Sequence, residues 1–150
     1  MKRARLRDII AVLFMIAAFL EGPASSAWAQ VPTESDVYVD RGIIAYDAKR
    51  YSEALQAFQE ALRLNPDNVN ARYYTGLSYM AMEQYPAAQA AFERAREMAP
   101  GDLDVAFQLG VAYFTQQQFD KAEPLFRQVY AGQPKRPNVG YYLGFIEFRR

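Results

Sequence analysis

The side chains that usually perform catalysis or bind metals are scarce in this sequence. It contains no Cys and no His, which excludes thiol nucleophiles, histidine general bases, disulfides and Cys/His zinc sites. Glu93 and Glu97 lie one helical turn apart, at the spacing of a carboxylate pair, but arginines interleave them, which is typical of a solvated helix face. No glycine is immediately followed by a lysine, so the sequence has no Gly-Lys pair of the kind found in phosphate-binding loops. The sequence therefore predicts a protein that is not an enzyme and binds neither cofactor nor metal.

The composition is that of an ordinary globular chain with one domain. Of 150 residues, 51% are hydrophobic and 15% aromatic, which excludes a collagen-like or disordered polypeptide. Basic and acidic residues number 17 each, so the net charge gives no indication of nucleic-acid binding.

The first 29 residues have the organisation of a secretory signal peptide. Residues 1–8 carry four basic side chains, and residues 9–20 contain no charge. As a helix, those twelve residues would span about 18 Å, less than the roughly 30 Å hydrocarbon core of a bilayer. Ala27 and Ala29 are the small residues that a signal peptidase accepts, so we expect cleavage after Ala29.

Cleavage would leave a mildly acidic mature chain that faces the periplasm or the exterior. It would remove four basic and two acidic residues and leave a net charge of −2. No Cys follows the cleavage site, so a lipoprotein anchor is not expected. We therefore predict a periplasmic or secreted protein with no nucleic-acid partner and no stable membrane span in the mature chain. The alternative is that the N-terminal segment stays uncleaved as a membrane anchor. Residues 30–34 are expected to be a short linker.

Small, aromatic and proline residues recur at a fixed interval of 34. Five columns share one register: Gly42, Gly76, Gly110 and Gly144; Ala54, Ala88 and Ala122; Phe58, Phe92 and Phe126; Pro66, Pro100 and Pro134; and the aromatics Tyr51, Tyr85 and Phe119. Such self-similarity is typical of stacked supersecondary units, none of which buries its apolar face alone.

Each period contains two helices joined by a short turn. Apolar residues recur at three and four over residues 73–80 and 107–114, which predicts amphipathic helices. Ser52 and Asp120, the latter with Glu123 in a capping box, are expected to cap second helices, and Pro86 to lie in a first turn. Since every predicted element is a helix, the predicted fold class is all-α. The short connections make neighbouring helices antiparallel.

The columns resemble the signature of the tetratricopeptide repeat family. The second unit matches it at Gly76, Tyr79, Ala88, Phe92, Ala95 and Pro100, and the third at Leu109, Gly110, Tyr113, Ala122, Phe126 and Pro134. The first unit departs from it at Arg41 and Ala45, and the third at Val129. Pro124 falls inside a second helix, where we expect a shifted start or a slight bend. The resemblance implies an α-solenoid of antiparallel helix pairs, with units at 35–68, 69–102 and 103–136 and a partial fourth at 137–150.

In such families the first helix of each unit lines a concave groove that binds a peptide or a partner's helix. The resemblance places these residues in the groove: Ile43, Tyr46, Tyr73, Leu77, Met80, Phe107, Val111, Phe114, Tyr141, Phe145 and Phe148. Val39 is expected beside them, and Asp36, Asn70, Asp104 and Asn138 are expected to form a polar rim. The implied function is an exported interaction scaffold in cell-envelope assembly, secretion or polysaccharide export.

Some family members bind the C-terminal carboxylate of chaperones with Lys, Asn and Arg side chains on these helices. The corresponding positions here are Val39, Ile43, Leu77, Asp104 and Gln108. The resemblance therefore predicts that this groove does not bind such carboxylate-terminated peptides.

The last predicted helix is apolar around most of its circumference, although terminal repeats need a polar outer face. We interpret the chain as a truncated reading frame, with self-association through this helix as the alternative. A second functional interpretation follows, in which the repeats are the N-terminal docking module of a longer chain with a C-terminal enzyme or barrel domain.

Overall fold

A computed structural model describes residues 32–149, and those from Thr33 onward belong to one compact unit. The predicted signal peptide and its cleavage site lie outside the described residues. Within residues 32–149 the chain forms seven helices and no strand. Their bounds are α1 Glu34–Asp47, α2 Tyr51–Leu64, α3 Val69–Ala81, α4 Tyr85–Met98, α5 Leu103–Thr115, α6 Phe119–Gly132 and α7 Val139–Phe148.

The helices pack as adjacent antiparallel pairs, which confirms the predicted all-α architecture. α1 packs on α2, α3 on α4 and α5 on α6, and each pair contacts the next through its second helix. α7 packs on α6 in the place of a first helix. None of the helices described here is both long and apolar enough to cross a bilayer.

Glycine and phenylalanine hold each pair together. Phe58, Phe92 and Phe126 are fully buried on the second helices. A Cβ added at Gly76 would lie 2.5 Å from Cε1 of Phe92, and one at Gly110 would lie 2.8 Å from Cε1 of Phe126. Because a side chain at these positions would overlap the ring, glycine is what lets the phenylalanine pack directly on the first helix.

Polar side chains cap the starts of α1, α3 and α5. Asn68 accepts a hydrogen bond from the backbone N–H of Ala71, and Asp102 accepts from the N–H groups of Asp104 and Val105. At α1, Thr33 and Asp36 form a reciprocal capping box. α7 differs, because the residue before it, Asn138, is left-handed with φ 68° and makes no side-chain capping bond.

The predicted caps of the second helices are wrong, except that Pro86 does lie in a first turn. Ser52 and Asp120 lie inside helices that begin one residue earlier, at Tyr51 and Phe119, and no side chain caps either helix. The reason is the turn that precedes them.

That turn ends the first helix of each pair. Lys49 is left-handed with φ 60°, its N–H donates to the carbonyl of Tyr46, and the N–H of Arg50 donates to that of Ala45. This Schellman pattern satisfies the last carbonyls of the first helix and leads directly into the second. Glu83 and Gln117 repeat it with φ 59°.

Pro124 does not shift the start of α6, contrary to one of the two expectations for it. The helix begins at Phe119, in the same register as α2 and α4, and continues to Gly132 with Pro124 inside it. Because proline has no N–H, the carbonyl of Asp120 lacks its helical donor there.

A second set of positions joins one pair to the next. Val105 and Ala112 on α5 are buried, and the residues 34 positions later, Val139 and Ile146, are buried on α7. In α3 the same two positions are the buried Ala71 and Ser78. In α1 they are Val37 and Ile44, which are 57% and 65% exposed.

Candidate binding groove

The residues predicted to line the groove lie on the four first helices and differ in exposure. Nine of the eleven are partly buried, and they pack on the cores of successive repeats: Ile43, Tyr46, Tyr73, Leu77, Met80, Phe107, Val111, Phe114 and Phe145. Tyr141 and Phe148 are 66% and 88% exposed. Val39 was expected among them but is 5% exposed and belongs to the core of the first repeat, so that expectation is wrong.

The structure brings several of the predicted residues together in an aromatic pocket of about 570 Å³. Phe114 contacts three other rings of its wall, with centroids 4.8 Å from Tyr142, 5.1 Å from Phe145 and 5.3 Å from Phe119. Its lining residues are Phe114, Thr115, Gln117, Phe119, Tyr141, Tyr142, Phe145 and Arg149. A pocket with aromatic walls and one cation at its edge fits a bulky apolar side chain.

Sequence reasoning did not assign Phe119, Tyr142 and Arg149 to this site. Phe119 belongs to an aromatic column that begins each second helix, and the left-handed turn before it directs the ring toward Phe145, at 5.9 Å. Arg149 lies 5.9 Å above the ring of Phe119. The aromatic column could have predicted that Phe119 belongs to this site, because an aromatic residue that follows a short turn lies beside the end of the preceding helix.

Tyr142 is held by stacking on the buried phenylalanine of the preceding repeat. The rings of Phe126 and Tyr142 are 4.6 Å apart and parallel within 3°, and the equivalent rings of Phe58 and Tyr74 stack at 5.8 Å with a tilt of 22°. Burial, with a smaller contribution from Tyr141, raises the pKa of Tyr142 above its ordinary value. The tyrosine is therefore a neutral wall of the pocket at physiological pH.

A smaller cavity of about 150 Å³ lies between α3 and α5, and Tyr73 is one of its lining residues. Burial raises the pKa of Tyr73, while a hydrogen bond from Gln108 opposes that rise. Asn70 and Asp104 of the predicted rim line the same cavity.

The acidic residues of the predicted rim are bound to neighbours. Asp36 accepts hydrogen bonds from the backbone N–H of Thr33 at 2.9 Å and from its hydroxyl at 2.8 Å, and these bonds lower the pKa of Asp36. Asp104 pairs with Arg136 at 2.6 Å, and that guanidinium also lies 4.3 Å above the ring of Phe107. The pairing neutralises the rim at the third repeat.

Glu93 and Glu97 are not equivalent, which corrects the interpretation of both as a solvated face. Glu97 pairs with Arg94 at the surface. Glu93 is partly buried and accepts a hydrogen bond from the Tyr113 hydroxyl at 2.6 Å. Burial first, and then this bond and the charge of Glu93, raise the pKa of Tyr113 to about 12. Among the described residues, no group of three or more His, Cys, Asp or Glu could hold a metal ion.

Antiparallel helix pairs with this glycine, alanine and phenylalanine pattern define the class of helical-repeat proteins. Two sequence profiles of the family, described as TPR repeat and tetratricopeptide repeat, match residues 42–83 and 75–137. Residues 42–137 therefore contain tetratricopeptide repeats. No curated protein sequence matches it significantly.

Solved structures agree with that assignment. The first TPR of Spaghetti (RPAP3) bound to an HSP90 peptide is 16% identical with a TM-score of 0.75, covering 79% of this chain and 94% of that one. The Sgt2 TPR domain from Aspergillus fumigatus is 24% identical with a TM-score of 0.71, covering 79% of this chain and 80% of that one. MamA from Desulfovibrio magneticus is 25% identical with a TM-score of 0.71, covering 77% and 66% respectively.

Proposed function

We propose that this chain is an interaction scaffold whose groove binds a segment of a partner protein through the aromatic pocket. The single observation that carries the proposal is the cluster of Phe114, Tyr142 and Phe145 around a pocket that no side chain of residues 32–149 fills. The RPAP3 neighbour is seen with a bound peptide, which supports a peptide as the ligand. The pocket favours an extended or amphipathic segment with one large apolar residue.

The ligand chemistry differs from that of the chaperone peptides. Binding a terminal carboxylate requires buried or convergent cations. Val39 is in the core, Asp104 is an acid already paired with Arg136, and Leu77 is apolar. We expect the HSP90 peptide SRMEEVD to show no micromolar binding in a fluorescence-anisotropy titration, and micromolar binding would contradict the proposal that the ligand lacks a carboxylate anchor.

A peptide-display selection on the full chain tests the groove. We expect enrichment of peptides with Trp, Phe or Leu at one position, because the pocket takes an apolar anchor. Tyr141→Asp places a charge at the pocket wall and should weaken the selected peptides by at least about tenfold. Tyr130→Asp is the matched control, since Tyr130 is 50% exposed on the second helix α6. Equal binding by both variants would refute the pocket as the site.

The proposal includes export to the periplasm or exterior and a role in the cell envelope. Its support is the basic opening and the uncharged stretch of residues 9–20, followed by Ala27 and Ala29. N-terminal sequencing of the protein recovered from a bacterial host should give Gln30 as the first residue. An intact N-terminus in the cytoplasmic fraction would contradict export.

A further inference from the structure

Three tyrosine rings form a second aromatic cluster along the groove, at the joint between the first and second repeats. The ring centroid of Tyr46 lies 5.5 Å from that of Tyr51 and 6.1 Å from that of Tyr74, with the rings tilted by 58° and 72°. Tyr46 holds the same repeat position as Phe114 of the aromatic pocket, two 34-residue periods earlier. All three tyrosines are only partly buried, so part of each ring is accessible to a ligand.

A carboxylate without a cationic partner lies next to this tyrosine cluster. Asp47 is the exposed last residue of α1, and burial first, then Tyr51 and Asp47, raise the pKa of Tyr46. Within residues 32–149, Asp47 forms no ion pair, although Lys49 is two positions away, and no cation lies over any of the three tyrosine rings. Aromatic faces beside a negative charge are an environment that attracts a cation.

The third repeat shows which cation such a combination binds. Asp104 and Phe107 of α5 hold the guanidinium of Arg136, which lies 2.6 Å from the carboxylate and 4.3 Å from the ring centroid. The Arg136 side chain is only 17% exposed there. A planar guanidinium can stack on a ring and bond a carboxylate at the same time. The tyrosine cluster and Asp47 offer the same two partners.

We propose that Tyr46, Tyr74 and Asp47 form a subsite for an arginine side chain of the partner segment whose apolar residue enters the aromatic pocket. This subsite rests on the proposed function, because it is a second anchor point for the same ligand. Neighbouring helices pack about 8 to 10 Å apart and successive first helices contact one another, so two repeats span about 20 Å. An extended chain rises about 3.3 Å per residue, so the arginine and the apolar anchor should be about six residues apart.

The peptide-display selection on the full chain supplies the probe. We expect the enriched peptides to carry arginine about six residues from the apolar position. The tightest-binding peptide, labelled with fluorescein, is compared with the same peptide carrying glutamine in place of that arginine. In fluorescence anisotropy at low salt, the glutamine peptide should bind about tenfold more weakly, because it loses both the contact with the rings and the ion pair.

Variants of the full chain locate the arginine. Asp47→Asn should weaken the arginine peptide about threefold and leave the glutamine peptide unchanged, because only the first loses an ion pair. Tyr46→Leu keeps an apolar side chain but removes the ring, and it should weaken the arginine peptide about fivefold while circular dichroism confirms its fold. Asp67→Asn is the matched control, since Asp67 is exposed between α2 and α3 and the same loss of charge should affect neither peptide.

Three results would overturn the subsite and leave the aromatic pocket standing. The first is a set of selected peptides with an apolar anchor and no preference for arginine, and the second is equal binding by Asp47→Asn and Asp67→Asn. The third is tighter binding of the arginine peptide by a chain without residues 1–29, because the basic side chains of that segment would then be the occupant. Tyr141→Asp reports on the pocket separately, since it should weaken both peptides equally, and no effect on either would refute the proposed function instead.

Discussion

A glycine at one repeat position has opposite consequences at Gly76 and Gly144. Gly76→Ala would place its Cβ 2.5 Å from Phe92, and we expect the free energy of unfolding to fall by about 1 to 3 kcal/mol from overpacking. Gly144→Ala meets open space, and its better helix propensity should raise that free energy by up to about 1 kcal/mol. Urea denaturation measures both, and a shift of the same sign in both variants would contradict the packing.

The buried phenylalanines are expected to dominate the stability of each repeat. Phe92 is fully buried, so Phe92→Ala should lower the free energy of unfolding by about 3 to 5 kcal/mol through lost burial and the cavity left behind. Phe148→Ala, at an 88% exposed position, should change it by less than about 0.5 kcal/mol. Thermal and urea unfolding of the two variants compare them directly, and similar losses would refute the assigned core.

Tyr113 makes the stability of the protein depend on pH in the alkaline range. Its pKa is about 12 in the folded chain against an ordinary value of 10.0, so the folded state binds the phenolic proton more tightly than the unfolded state. The resulting stabilisation is complete below about pH 10 and is lost as the pH rises through about 12. An ultraviolet absorbance titration of the wild type minus Tyr113→Phe isolates this group.

Glu93→Gln provides the control for that titration. It removes the negative charge next to the phenol, and we expect the pKa of Tyr113 to fall while burial keeps it above the ordinary value. A difference titration centred near pH 10 in the folded wild type would contradict the hydrogen bond to Glu93.

At the scale of helices, the sequence predicts existence and pairing better than it predicts ends. The 34-residue columns specify the helices because glycine, alanine and phenylalanine must meet at fixed positions. Asn68 and Asp102 were predictable caps, since they follow prolines that stop the preceding helix. Ser52 was misassigned because a Schellman turn with a residue other than glycine, here Lys49, has no strong local signal.

Pro124 is the clearest local conflict within a helix. It lies beyond the first turn of α6, where a helical N–H is needed. Pro124→Ala would supply that donor to the Asp120 carbonyl, and we expect a gain in unfolding free energy of up to about 3 kcal/mol. Pro86→Ala is the control, because Pro86 lies in the first turn of α4, where no helical partner is lost, and should change stability little. Equal changes for the two variants in urea denaturation would show that Pro124 costs no more than a proline in a first turn.

The sequence predicts only part of the candidate site, because some of its residues follow from repeat positions and others from tertiary packing. Phe114, Tyr141 and Phe145 follow from repeat positions, and the structure brings them to one pocket. The aromatic column was the sequence signal for Phe119, the first residue of α6, whereas the position of Arg149 at the end of α7 depends on tertiary packing. The sequence also does not predict the pairing of Asp104 with Arg136, because the two residues are 32 positions apart and meet only through tertiary packing.

At the scale of the whole molecule, stability should vary along the array. Within residues 32–149 each repeat contacts only its neighbours, so described helices cover α3 and α4 on both sides but α1 and α7 on one side. In hydrogen–deuterium exchange of the full chain, we expect the slowest backbone exchange in α3 and α4 and the fastest in α1 and α7. Uniform protection of all seven described helices would mean that the array unfolds as one unit.

The recurring pair of buried positions on the first helices has an evolutionary consequence. Ala71 and Ser78 meet the preceding repeat in the same way as Val105 and Ala112. An in-frame duplication of residues 69–102 would therefore join both flanking repeats through contacts that the protein already uses. Gene duplication in steps of 34 codons can lengthen the interaction surface by whole repeats. Insertions of other lengths would shift the buried positions out of register at the interface between repeats where they occur.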